Sequence, residues 1–221
     1  MEQFVLGIDD AGRGPVIGPM VLAGCLVNSS AEREFKKLGV KDSKQLTQKR
    51  REFLENKIKE LAKTFEIAIL PPVQIDSSNE DGIKLNELEA IAIAKIINEI
   101  NKSPYNINKI KVIIDCPSTS ILKWTDFLKT KIDNLSTLEI HCEHKADQNH
   151  ISVSAASVLA KCVREREMQK LKEIYGEEIG SGYTSDSLTI RFLEKNCERH
   201  KDAGIFRKTW MTWKRIYRER I

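Results

Sequence analysis

Short apolar runs that stop at polar or turn residues alternate along this chain with stretches in which apolar positions recur every three or four residues. The first run, residues 4–8, ends abruptly at Asp9-Asp10 and reads as a buried strand. Gly12, Gly14 and Gly18, with Pro15 and Pro19, make a tight turn into a second apolar run over residues 20–27. Thr47 is placed to cap an amphipathic helix reaching about residue 63, with Leu54, Ile58 and Leu61 on one face. Residues 65–70 read as a third strand, closed by Pro71-Pro72, and residues 87–100 as a long apolar-striped helix. A strand over 111–114 ends at Asp115 and is stopped by Cys116-Pro117; a helix over 121–131 and a strand over 138–142 follow. Residues 154–175 read as a long helix whose first turns are small (Ser154, Ala155, Ala156, Ser157), suited to close packing. Helices over 188–197 and 208–218 complete the order, with no internal repeat and no low-complexity linker. Early strands followed by alternating strands and helices predict an α/β domain with a mixed sheet and a helical C-terminal region.

Composition narrows this picture. With 221 residues, 41% of them hydrophobic, the chain can bury one sizeable core, with or without a small appendage. No apolar run approaches the roughly 20 residues that cross a bilayer, and Met1-Glu2-Gln3 lacks the basic start of a signal peptide. The expectation is a cytoplasmic protein with no membrane partner. Five cysteines, widely spaced and without a Cys-x-x-Cys pair, indicate reduced thiols rather than a disulfide framework or a zinc ribbon. The net charge of +4 permits an anionic partner without requiring one. Arg207, Lys208, Lys214, Arg215, Arg218 and Arg220 crowd the C-terminus, with Glu219 opposing them. Such a cluster is either a phosphate-binding patch or a solvated helix face.

The chemistry is carried by aspartates. Asp9-Asp10 and Asp115 lie at the carboxyl ends of expected buried strands, and Asp147 lies just before a long helix. Those are the places where ligand sites collect in open α/β sheets. One such aspartate alone is a turn or a helix cap; three sites at strand ends point to a shared divalent cation, and all-oxygen ligation suits Mg²⁺ or Mn²⁺ rather than zinc. Neighbours on a regular strand point to opposite faces, so Asp9 and Asp10 serve one site only if the strand ends or bulges there. His141, Cys142, Glu143 and His144 alternate between strand faces and do not converge on one ion. Trp210, Trp213 and Tyr217 fall at helical spacing and read as core packing before base stacking. Gly12-Arg13-Gly14 is similar to a phosphate loop but lacks the Gly-Lys-Ser/Thr continuation.

Taken together, the segments Gly7-Ile8-Asp9-Asp10-Ala11-Gly12-Arg13-Gly14-Pro15, Asp42-Ser43-Lys44, Asn86-Glu87-Leu88-Glu89-Ala90, Asp115-Cys116-Pro117, Lys145-Ala146-Asp147, Ser154-Ala155-Ala156-Ser157 and Gly180-Ser181-Gly182-Tyr183 resemble ribonuclease HII of the archaeal kind. The resemblance implies an RNase H-like mixed sheet flanked by helices, with a catalytic domain over 1–175 and a C-terminal helical extension over 176–221. It implies endonucleolytic cutting of RNA in RNA–DNA hybrids and at single ribonucleotides in duplex DNA, leaving a 5′-phosphate, in ribonucleotide and primer removal. It implies that Asp9, Asp10, Asp115 and Asp147 are both the catalytic and the metal-ligating carboxylates of a two-ion site, one ion activating water and the other stabilising the leaving 3′ oxygen. Substrate contacts implied in the same way are the backbone of Gly12, Arg13 and Gly14 at the ribose 2′-hydroxyl, Lys44 and Arg13 at phosphates, Ser43 as a further substrate contact, and Tyr183 against the next sugar. A sliding clamp is a candidate partner, although the C-terminus shows no evident clamp-binding peptide, and a monomer is expected.

Two departures from the family pattern stand out. Asp10 replaces the usual Glu, and Tyr183-Thr184-Ser185-Asp186-Ser187 replaces Tyr-Pro-Ser-Asp-Pro, a change expected to loosen the loop that presents Tyr183. Two rival readings stay open at this point. A sugar or acyl kinase needs a second Asp-x-Gly strand–turn that Asp115-Cys116-Pro117 does not supply; a hybrid-binding protein with lapsed catalysis needs Asp10 to be crippling.

Overall fold

A computed structural model describes residues 3–41, 46–102 and 109–219. Its centre is a five-stranded mixed sheet in the order β3-β2-β1-β4-β5, from β1 (Phe4–Ala11), β2 (Met20–Asn28), β3 (Thr64–Leu70), β4 (Ile110–Asp115) and β5 (Leu138–Glu143). β1 pairs in parallel with β4 (Ile8 opposite Ile114), and β4 in parallel with β5 (Asp115 opposite Glu143). Nearly every residue of β1, β2 and β4 is buried on both faces, as expected of strands covered by helices above and below. The edge strand β5 instead exposes Glu139 and His141, charges that discourage further strand pairing.

The helices are α1 (Ser29–Lys37), α2 (Gln48–Leu61), α3 (Pro72–Glu80), α4 (Leu85–Asn101), α5 (Ile121–Lys129), α6 (Ala146–Asn149), α7 (Ile151–Tyr175), α8 (Ser187–Asn196) and α9 (Met211–Arg218). Thr47 caps α2 as expected, its hydroxyl accepting from the Arg50 amide at 3.3 Å. The expected strands and long helices are present within a few residues of their bounds. Three short helices were not expected. α1 starts where the Asn28 side chain accepts from the Ala31 amide at 2.8 Å. α3 begins at Pro72, where a missing amide and a fixed φ favour a first helical turn rather than a strand stop. α6 is a single turn that carries Asp147. α9 begins at Met211 rather than 208, because the Lys208 and Thr209 amides are held by the buried Asp76 carboxylate at 2.7 and 3.0 Å.

Contacts divide the chain into two compact units. The first comprises Met1–Ala11, Leu22–Ala68 and Asn86–Cys162 and contains most of the sheet, with α1, α2, nearly all of α4, α5, α6 and the N-terminal half of α7. In it the small residues that open α7 lie directly against β1. A Cβ on Gly7 would sit 2.1 Å from the Ser152 carbonyl carbon, so only glycine permits the approach. The second unit comprises Gly12–Val21, Ile69–Leu85 and Val163–Ile221. Its core is built from Val16, Ile17, Ile179, Phe192, Leu193, Phe206, Trp213 and Ile216. Trp213 is buried between Phe206 (ring centroids 4.6 Å apart) and Tyr217 (5.3 Å), which is core packing. All five cysteines are free. No helix among the described residues is long and apolar enough to cross a membrane.

Candidate metal centre

Three of the four expected carboxylates converge within the first unit. Asp9 on β1, Asp115 at the end of β4 and Asp147 in the first turn of α6 each offer an oxygen, and these oxygens lie within 4.8 Å of one another. Asp9 and Asp147 are buried, and Asp115 is half-buried. Parallel pairing of β1 with β4 places Asp9 beside Asp115, since both follow the aligned pair Ile8 and Ile114. Asp147 arrives by a turn in which Lys145 adopts left-handed backbone (φ 59°), the one described non-glycine residue to do so. That turn aims the Ala146 amide at Asp115 Oδ1 (3.2 Å), while Ser154 Oγ at the start of α7 donates to the Asp147 carbonyl at 2.6 Å.

Asp10 stands outside this group of three. The cause is local: β1 continues through Ala11 instead of ending at Asp9, so consecutive residues still alternate in direction. Asp10 still acts on the site. Its amide donates to Asp9 Oδ1 at 2.8 Å, and its charge is the second-largest influence on the Asp9 carboxyl. Burial, then the charge of Asp10, and also that of Asp115, push the Asp9 carboxyl well above the usual carboxylate range; a hydrogen bond from Ser157 on α7 and the Asp10 amide oppose the rise. Three buried or half-buried carboxylates this close together fit a divalent cation, whose charge offsets theirs and whose preference is for oxygen. Sequence reasoning gave Ser157 no individual role; the small residues that open its helix were its only trace.

The other expected contacts lie in the second unit or outside the described residues. Ser43 and Lys44 fall outside them. Gly12 has left-handed backbone (φ 83°), which glycine adopts without strain, and its carbonyl accepts from Arg207 Nη2 at 2.6 Å. Arg207 also donates to the carbonyls of Arg13 (2.7 Å) and Gly18 (3.1 and 3.0 Å) and is fully buried. Its place in a basic surface patch is therefore corrected: four guanidinium hydrogen bonds satisfy three loop carbonyls. Trp210 Nε1 adds a bond to the Gly14 carbonyl at 3.2 Å. Lys214, Arg215 and Arg218 remain on an open groove along α9, and Arg220 lies outside the described residues.

Tyr183 is 39% exposed, on a loop tied at several points. Asp186 caps α8 through the Leu188 amide (2.9 Å) and also accepts from the Ser181 amide (2.7 Å). Thr189 Oγ1 accepts from Gly182 N at 2.9 Å and donates to the Ile179 carbonyl at 2.9 Å. Asp186 and Thr189 restrain this loop, which lacks the two prolines of the family pattern. Arg164, unassigned by sequence reasoning, lies with its guanidinium carbon 4.9 Å from the Tyr183 ring centroid.

A family model described as Ribonuclease HII matches residues 6–213. A ribonuclease HII of Methanocaldococcus jannaschii is 42% identical over 221 residues, covering 97% of this chain and 95% of the relative. Among solved structures, the ribonuclease H2 from Pyrococcus horikoshii superposes with a TM-score of 0.84 at 35% identity, covering 98% of each chain. The RNase HII of a PCNA:RNase HII complex from Archaeoglobus fulgidus gives 0.80 at 34% identity, covering 94% of this chain and 95% of that one.

Proposed function

The chain belongs to the ribonuclease HII family, whose members are metal-dependent endonucleases, and on that premise we propose that it cuts RNA in RNA–DNA hybrids and at single ribonucleotides within duplex DNA. The supporting observation is the convergence of Asp9, Asp115 and Asp147, three carboxylates from three separate elements, within 4.8 Å. Those residues, with Asp10 beside them, would hold two divalent ions, Mg²⁺ or Mn²⁺, which would supply Lewis acidity toward the attacking water and the leaving 3′ oxygen, giving a product with a 5′-phosphate. The protein's own contribution is position: Ser157 and the Asp10 amide orient Asp9, and the Ala146 amide orients Asp115.

In this reading the Gly12-Arg13-Gly14 backbone recognises the 2′-hydroxyl, the group that separates RNA from DNA. Arg207 fixes that backbone by donating to the carbonyls of Gly12 and Arg13. Lys44 and Arg13 contact phosphates, Ser43 is a further substrate contact, and Tyr183 packs on the following sugar, where a deoxyribose fits. The proposed role is ribonucleotide and primer removal in the cytoplasm, by a monomer. The proposed protein partner is a sliding clamp, in line with the Archaeoglobus fulgidus relative solved in complex with PCNA. The kinase alternative does not survive the family match.

The test is a labelled DNA duplex carrying one ribonucleotide, and a long RNA–DNA hybrid, each incubated with Mg²⁺, Mn²⁺ or EDTA. Cutting on the 5′ side of the ribonucleotide with a 5′-phosphate product, abolished by EDTA, is expected. Binding without cutting under both metals would instead mark a hybrid-binding protein.

A further inference from the structure

Arg164 sits where the second unit has least reason to bury a charge. It lies on α7 with 7% of its surface exposed, and burial holds its guanidinium below the usual arginine pKa while leaving it charged. An apolar side chain would fill the same volume without that desolvation cost. The guanidinium is also not fully satisfied: Nη2 donates to the Ser181 carbonyl at 3.0 Å, but the buried Nε–H has no hydrogen-bond partner. A buried donor left unpaired calls for an explanation.

The explanation lies in what Arg164 touches. Its guanidinium carbon lies over the Tyr183 ring, 4.9 Å from the centroid. It also lies against the turn at Gly12, where a Cβ would fall 2.2 Å from Nε and 2.3 Å from Cδ. A Cβ on Gly182 would fall 3.4 Å from Nη2, and Gly182 itself accepts through its carbonyl from the Val16 amide at 2.9 Å. One rigid, planar side chain therefore contacts both loops that the proposed function assigns to the sugars: Gly12 at the ribose 2′-hydroxyl and Tyr183 at the next residue. A flexible lysine has no flat face to set a ring against.

We propose that Arg164 is a positioning residue that fixes the Tyr183 ring relative to Gly12, and so sets the preference for a ribonucleotide followed by a deoxyribonucleotide. This rests on the proposed function for its substrate and on the contacts above for its residue.

A double-mutant cycle on the full chain tests it, with Arg164→Lys, Tyr183→Ala and both together, on the single-ribonucleotide duplex and the long hybrid. Arg164→Lys keeps the charge and loses the flat fork. It is expected to lower kcat on the lone ribonucleotide about tenfold with KM within about twofold, and to cost less than about twofold once Tyr183 is alanine. The long hybrid, which has no deoxyribose after the cut, should lose less. Equal losses in both tyrosine backgrounds, or on both substrates, overturn the role. If Arg164→Lys does not fold, Arg164→Met fills the volume without a charge and enters the same cycle.

A second readout separates this proposal from the activity it rests on. With fluorotyrosine incorporated, the four tyrosines give ¹⁹F resonances, and Tyr183→Phe identifies the one at issue. Arg164→Lys should shift or broaden that resonance and leave the other three in place. An unmoved Tyr183 resonance refutes the positioning role whatever the enzyme cuts. A parent that cuts neither substrate refutes the proposed function, with the resonance still reporting on Arg164.

Discussion

Replacing Gly7 by alanine tests whether the metal centre depends on one close approach between β1 and α7. The added Cβ would meet the carbonyl carbon of Ser152 at 2.1 Å, its oxygen at 2.3 Å and the Val153 nitrogen at 2.3 Å. All three are backbone atoms, so no side-chain rotation relieves the overlap. Ordinary carbon–carbon contact is about 3.6 Å, so the start of α7 must retreat by roughly 1.5 Å. Overpacking of this kind costs about 1–3 kcal/mol, or a fall of about 2–12 °C in Tm for a chain of this size. The effect on turnover should be larger than the effect on stability. Ser157, which bonds Asp9, and Ser154, which bonds the Asp147 carbonyl, both travel with α7. Misplacing a catalytic group by about 1 Å costs about a hundredfold in rate. Gly24→Ala is the control: its Cβ would meet side-chain ends, Ile96 Cγ2 at 2.5 Å and Leu6 Cδ1 at 3.3 Å, which can shift. Calorimetry and cleavage of the single-ribonucleotide duplex provide the assays. A Gly7→Ala protein that matches the parent, or is no worse than Gly24→Ala, would falsify the idea that this contact positions the site.

Four further outcomes are expected. The Asp9 carboxyl has a raised pKa in the folded state, so the metal-free fold binds its proton more tightly than the unfolded chain and loses stability as pH climbs through that raised value. Asp9→Asn should therefore melt higher than the parent at pH 8 in EDTA, show no such gain in strong acid, and lose most of the Tm increase produced by Mn²⁺; a lower melting point at pH 8 would contradict this. Asp10 is one methylene shorter than the family's usual Glu, a retreat of about 1.5 Å, and Mg²⁺ demands short, strict octahedral ligation. The parent should work better with Mn²⁺, and Asp10→Glu should raise Mg²⁺-supported turnover; a neutral or harmful change would show that the surroundings have adapted to aspartate. Neutralising Lys214, Arg215 and Arg218 should flatten the salt dependence of hybrid affinity by about two to three units of slope. Arg207→Met should leave that slope unchanged and cost about 3 kcal/mol or more in stability, since three loop carbonyls lose their donor. The reverse pattern would place Arg207 on the nucleic acid.

The amino-acid order by itself determined whatever depends on a few neighbouring residues. Apolar runs ending in Asp9 and Asp115 announced buried strands with carboxylates at or near their ends, Thr47 announced a helix start, and the small residues before Val158 announced a helix that packs closely. These signals are local, because strand alternation, capping and turn chemistry act over a handful of positions. Local chemistry was also misread where one residue has two uses: Pro72 closes a strand and equally opens α3. What only the tertiary structure decided is which distant groups meet. Asp9, Asp115 and Asp147 converge because β4 pairs beside β1 in one register and a left-handed Lys145 turns Asp147 inward; Asp10 stays outside because β1 runs on to Ala11. Arg207 and Arg164 look like surface charges in the sequence, yet both are buried against loops. An arginine's burial depends on whether carbonyls and rings from elsewhere in the chain surround it, and that is settled by long-range packing, to which no periodicity around the arginine responds.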